Sequence, residues 1–101
     1  MEVIIKEESR QDLYEIDEEL RDEILNEIEA LERNATPENA TFIEIGNLEL
    51  FRLKLQEKHR NSRLNHRIFY QIKDEKVYIR GIFQRQKGYG TQTREELEER
   101  I

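Results

Sequence analysis

Three short apolar runs in the second half of the chain are interleaved with cations and aromatic rings. Arg52 and Lys54 alternate with Phe51, Leu53 and Leu55; Arg67 and Phe69 alternate with Ile68 and Tyr70; Tyr78 and Arg80 alternate with Val77 and Ile79. Successive side chains of an extended strand point to opposite faces. If each run is a strand, then Arg52, Lys54, Arg67, Phe69, Tyr78 and Arg80 gather on one face, and Arg85 and Lys87 extend the series just beyond. Guanidinium and ammonium groups meet phosphate oxygens, while aromatic faces stack on unpaired bases. This mixture suits single-stranded nucleic acid. A sheet with one face in water is polar there in any case, but that does not ask for a nearly uniform positive sign.

The elements that must position these residues follow from periodicity. Strands are expected over Leu48–Leu55, His66–Lys73 and Lys76–Gln84, with Phe51, Leu53, Ile68, Tyr70, Ile72, Val77, Ile79 and Phe83 turned toward a core. Asp74-Glu75 joins the last two as a tight hairpin without the glycine such turns favour. Gln56–Asn65, carrying Lys58, His59, Arg60 and Arg63, is long for a hairpin connection. Upstream, Met1–Lys6 reads as a strand. Leu13, Ile16, Leu20, Ile24, Ile28 and Leu31 then step by three or four, the stripe of an amphipathic helix. Ser9 is a candidate cap, and Asp17-Glu18-Glu19 suits a second helix start, so the spacing favours a short helix, a bend near Ile16–Asp17 and a longer helix to about Arg33, with one continuous helix as the alternative. Asn34–Asn39 is turn-rich, and Phe42–Ile45 is a short extended piece ended by Gly46-Asn47. The expected class is α+β: an N-terminal strand, a helical hairpin, and a three- to four-stranded antiparallel sheet with the helices on one face. At 101 residues, one domain spanning 1–101 is expected.

Charge is distributed as unevenly as the pattern. Residues 1–51 hold 4 Lys/Arg against 16 Asp/Glu, residues 52–90 hold 11 against 3, and residues 91–101 hold 2 against 4. An acidic helical layer and a basic sheet layer are implied within a total of −6. There is no cysteine, hence no disulfide and no thiolate metal site. With two histidines and no glycine-rich phosphate loop, no metal and no cofactor is expected. Apolar stretches reach only three residues, too short for a membrane span or a signal-peptide core, so the cytoplasm is the expected location.

The order of these segments resembles the RelE/ParE toxin superfamily of type II toxin–antitoxin systems. The resemblance is carried by D-L-Y-E-I-D-E-E-L-R-D-E-I-L-N-E-I-E-A-L (12–31), F-R-L-K-L (51–55) and H-R-I-F-Y-Q-I-K-D-E-K-V-Y-I-R-G-I-F-Q-R-Q-K-G-Y (66–89), with I-R-G-I-F-Q-R-Q-K also similar to the HigB-like branch. It implies a cognate antitoxin as partner. It also implies either ribosome-associated mRNA cleavage, as in RelE-like members, or topoisomerase inhibition, as in ParE-like members; a member without surviving activity is the third reading. Matched by position, Lys54 corresponds to a strand lysine, Arg67 to the hairpin arginine, Arg85 to the late arginine and Tyr89 to the C-terminal tyrosine. In metal-independent RNA cleavage a base activates the ribose 2′-OH, cations hold the crowded phosphate, and an acid protonates the leaving 5′-oxygen. On this resemblance Lys54 or Tyr89 is the base, and Arg67 and Arg85 clamp the phosphate. His59 and His66 are further acid/base candidates. The chain departs from the family in its overall acidity and its long 56–65 connector.

Overall fold

The computed structural model describes residues 1–55, 64–84 and 91–101. Strand β1 (Glu2–Ile5) leads into helix α1 (Glu7–Tyr14) and helix α2 (Glu18–Ala30). Strands β2 (Ala40–Ile45), β3 (Leu48–Lys54), β4 (His66–Lys73) and β5 (Lys76–Gln84) follow, and helix α3 (Thr91–Arg100) ends the chain. The bend between α1 and α2 falls where the sequence places it, and Arg21 fixes it. Its guanidinium donates to the carbonyls of Leu13, Tyr14 and Ile16 at 2.8, 3.3 and 2.9 Å, satisfying the last turn of α1.

The sheet order is β1-β5-β4-β3-β2. β1 runs parallel to β5, and the other neighbours are antiparallel. On one face the apolar stripe of the helices (Leu13, Leu20, Ile24, Ile28, Leu31) meets Leu53, Ile68, Tyr70, Val77, Ile79 and Ile82 in the main core. Ile24, Ile68, Tyr70, Val77 and Ile79 have no exposed surface. The Tyr70 hydroxyl reaches through this layer to donate to the Ala35 carbonyl at 2.7 Å, pinning the connector after α2. Burial pushes its pKa up to about 12.

The architecture differs from expectation in four places, each with a local cause. The sheet has five strands and is mixed, because β1 and β2 add to the edges of the three expected strands. Ser9 does not cap α1; it lies inside the helix and its buried hydroxyl donates to the Ile79 carbonyl at 2.9 Å. The Asp74-Glu75 turn, by contrast, forms as expected and without glycine, taking φ of 53° and 61° at its two residues, the mirror-image turn that matches strand twist. Phe83 does not join the main core. Phe69 pairs with Gly81 and Tyr70 with Ile79, so Arg80 is the extra residue of a β-bulge that shifts the phase of β5. Ile82 takes the core position and Phe83 turns to the other face. Finally, that other face is not open along its whole length: α3 lies on it, with Leu97 fully buried against Leu50 and Phe69.

Candidate functional site

The second face of the sheet divides into two zones. Toward the Gly46–Asn47 turn it is apolar, built from Ile43, Ile45, Leu48, Leu50, Phe69 and Phe83 beneath Leu97. Toward the ends of β3 and β5 it is cationic. Lys54 sits directly across from Arg67, Arg52 across from Phe69, and Arg67 in turn across from Phe83. Three of the cations singled out in the sequence therefore come together on two adjacent cross-strand rungs, bordered by the Phe69 and Phe83 rings 5.9 Å apart. Their exposure is graded. Arg67 retains only 7% of its surface, whereas Arg52 and Lys54 are partly exposed. Arg52 Nε is buried and has no hydrogen-bond partner among the described residues, an uncommon state for an N–H and one that an incoming oxygen would relieve.

Arg80 shares the face but stands apart from this strip. Its Nε donates to Gln71 Oε1 at 2.8 Å and its guanidinium lies 5.6 Å from the Tyr78 ring centroid, so it faces the hairpin end of the sheet. His66 is on the opposite face from Arg67 by strand alternation, 2% exposed. Burial lowers its pKa below the usual 6.5, which keeps the imidazole neutral and turned inward, away from the cationic strip. Arg85, Lys87 and Tyr89, together with Lys58, His59, Arg60 and Arg63, lie outside the described residues. Among the described residues no group of His, Asp or Glu could hold a metal ion, and no helix is long and apolar enough to cross a membrane.

Sequence reasoning missed Asp12, Arg100 and Gly81, which join the helices to the bulge. Arg100 bonds Asp12 through both its terminal nitrogens, at 2.7 and 3.0 Å, and lies 4.9 Å from the Phe83 ring centroid. Burial alone would lower the Arg100 pKa; the Asp12 hydrogen bond and the charges of Asp12, Glu96 and Glu8 outweigh it and raise the pKa, so the guanidinium stays charged. Gly81 has no room for a side chain: an added methyl group would collide with the Phe83 ring and come within 3.2 Å of Arg100 Nη1. Only Leu97 and Ile101, four residues apart in a run of strong helix formers, could have announced α3.

Over residues 3–89 the sequence matches the family model of the ParE toxin of the parDE type II toxin–antitoxin system. The chain belongs to this toxin family. Solved structures agree on the fold. The chain is similar to a double arginine-to-alanine mutant of the Escherichia coli toxin RelE in its free state, with a TM-score of 0.71 at 16% identity over 99% of this chain and 96% of that one. It is also similar to a chain of the RelBE2 toxin–antitoxin complex of Mycobacterium tuberculosis, with a TM-score of 0.65 at 18% identity over 83% of this chain and 96% of that one. In a comparison with curated protein sequences, none matches. The protein is thus a RelE/ParE-like toxin of a type II system, and the sheet of this toxin is the shared scaffold.

Proposed function

We propose that this toxin is an RNA-directed member of its family, a metal-independent mRNA interferase acting with the ribosome in the cytoplasm and held in check by a bound antitoxin. The observation that supports this reading most is the pairing of Lys54 with Arg67, one rung from Arg52 and its unpartnered buried N–H. A phosphodiester laid on this strip would meet a planar fork from Arg67, a second cation from Lys54 and the unpartnered Nε–H of Arg52, carried by adjacent positions of paired strands. Cations already in place stabilise the charge of the crowded phosphate without reorganising. Arg85 and Tyr89 are assigned to the site by their resemblance in sequence to the late arginine and C-terminal tyrosine of RelE-like toxins. The solved RelBE2 complex, a toxin–antitoxin assembly of a similar fold, supports an antitoxin as the partner here.

A second reading has its own support. The matching family model is that of the ParE branch, and Arg67 is too buried to be a purely surface contact. On this reading the toxin binds a topoisomerase and cleaves nothing. Induction in a host cell separates the two. An interferase arrests growth and leaves mRNA cut at discrete sites, and the double variant Arg52→Ala, Lys54→Ala, whose residues are partly exposed, loses both effects while remaining folded. Growth arrest with intact mRNA and altered plasmid supercoiling would establish the second reading instead. Normal growth with soluble, folded wild-type protein would remove both.

A further inference from the structure

Asp12 and Arg100 are 88 residues apart in sequence and meet as a two-pronged ion pair with side chains only 13% and 15% exposed. The pair also does something other than neutralise itself. Asp12 Oδ2 accepts the Ile82 backbone N–H at 3.0 Å, and Arg100 Nη1 donates to the Arg80 carbonyl at 3.0 Å. Those two backbone groups flank Gly81 on the bulged stretch of β5, where the extra residue interrupts the ladder to β4. β1 pairs with β5 only as far as Ile79, so beyond it backbone groups on that side of β5 need other partners, and one carboxylate from α1 with one guanidinium from α3 meets a donor and an acceptor there. The same guanidinium lies over the Phe83 ring, and the absence of a side chain at Gly81 makes room for both.

We infer that the Asp12–Arg100 pair is a positioning device for the cationic face: by holding the bulge it sets the phase of β5 that places Phe83 beside Phe69 and Arg67. Loss of the phase shift would return Phe83 toward the core side and expel Ile82 from it, since a one-residue slip exchanges the faces of a strand. The device therefore links two helices on opposite faces of the sheet to the presentation of the nucleic-acid strip. Its functional consequence rests on the RNA-directed reading, but the positioning itself does not.

The test uses the full chain in four forms: wild type, Asp12→Asn, Asp12→Ala and the charge exchange Asp12→Arg with Arg100→Asp. Amide exchange at Ile82, the ring contact between Phe69 and Phe83 by nuclear Overhauser effects, and affinity for a short single-stranded oligoribonucleotide are read together. In Asp12→Ala the Ile82 amide exchanges faster by about tenfold or more, while Leu53 and Ile68 keep their protection. The ring contact weakens and RNA affinity falls by about tenfold, the order of one lost charge-assisted contact. Asp12→Asn, which keeps an acceptor oxygen, lies between. The charge exchange restores opposite charges but sets a donor against the Ile82 N–H and an acceptor against the Arg80 carbonyl, so it remains as impaired as Asp12→Ala. Rescue by the charge exchange would overturn the inference, leaving only an electrostatic tether for α3. So would fast Ile82 exchange in Asp12→Ala or Asp12→Asn with the ring contact intact. A wild-type protein that binds no RNA would instead overturn the proposed function, and the exchange and ring contact would still decide the positioning.

Discussion

The two faces of the sheet are held by different physics. The first is a continuous apolar layer in which α1 and α2 cover Leu53, Ile68, Tyr70, Val77 and Ile79. Its contacts are non-directional, so any helix stripe of about the right size and spacing would fill it. The second face has only a small apolar patch beneath Leu97, and beside it a strip of cations that water or a ligand must solvate. There the arrangement depends on a few directional bonds, chiefly those of Asp12 and Arg100. Stability is concentrated on one face. Packing contributes least on the other, the face proposed for recognition.

Truncating one core residue on each face probes that contrast most strongly. Ile24→Ala, at a site with no exposed surface, costs about 2–5 kcal/mol in a urea melt. Leu97→Ala costs about 2 kcal/mol or less, because its small cluster with Leu50 and Phe69 can open without opening the main core. Equal costs would show that the two faces unfold as one unit. Gly81→Ala comes next: the methyl group must displace Phe83 or Arg100, for about 1–3 kcal/mol of overpacking, with the shift visible in the Phe83 resonances.

A smaller effect is expected from acid. The folded-state pKa of His66 is depressed, so the unfolded chain binds the proton more readily. Stability is complete above about pH 6.5 and declines as pH falls below it, a loss that His66→Gln abolishes in the difference between melts at about pH 7.5 and about pH 5.5. Carboxylates scarcely titrate in that window, which isolates the imidazole. An identical pH response in the variant would mean that the ring is already solvated.

The finest comparison concerns charge alone. Contacts from Arg52, Lys54 and Arg67 give RNA affinity a log–log salt slope of about −2, and Lys54→Ala flattens it by about 0.7. Glu32→Lys, an exposed charge just beyond α2, leaves the slope unchanged because it is screened beyond about 8–10 Å. Glu27, on the same helix, is no substitute as a control, since it is buried. An equal response to both substitutions would mean that total charge, not the strip, governs binding.

Local pattern in the sequence carries the packing of α1 and α2 on one sheet face, the favoured bend before α2 and the core stripe. All of these rest on local periodicity: 3.6 residues per turn and two per pleat carry the information within a dozen residues. It also brought Arg52, Lys54 and Arg67 to one face correctly, because no irregularity interrupts β3 or the first half of β4. Phe83 was misplaced for the complementary reason. Alternation past Arg80 holds only if the ladder is unbroken, and a bulge reverses every later residue. Whether a bulge forms there depends on Gly81 leaving space and on Asp12 and Arg100 bonding the backbone it releases. Those partners lie at opposite ends of the chain and carry no pattern of their own. Three-dimensional packing alone brings an acid from the first helix and a base from the last to one strand, beside the bulge that puts Phe83 on the face of the cationic strip.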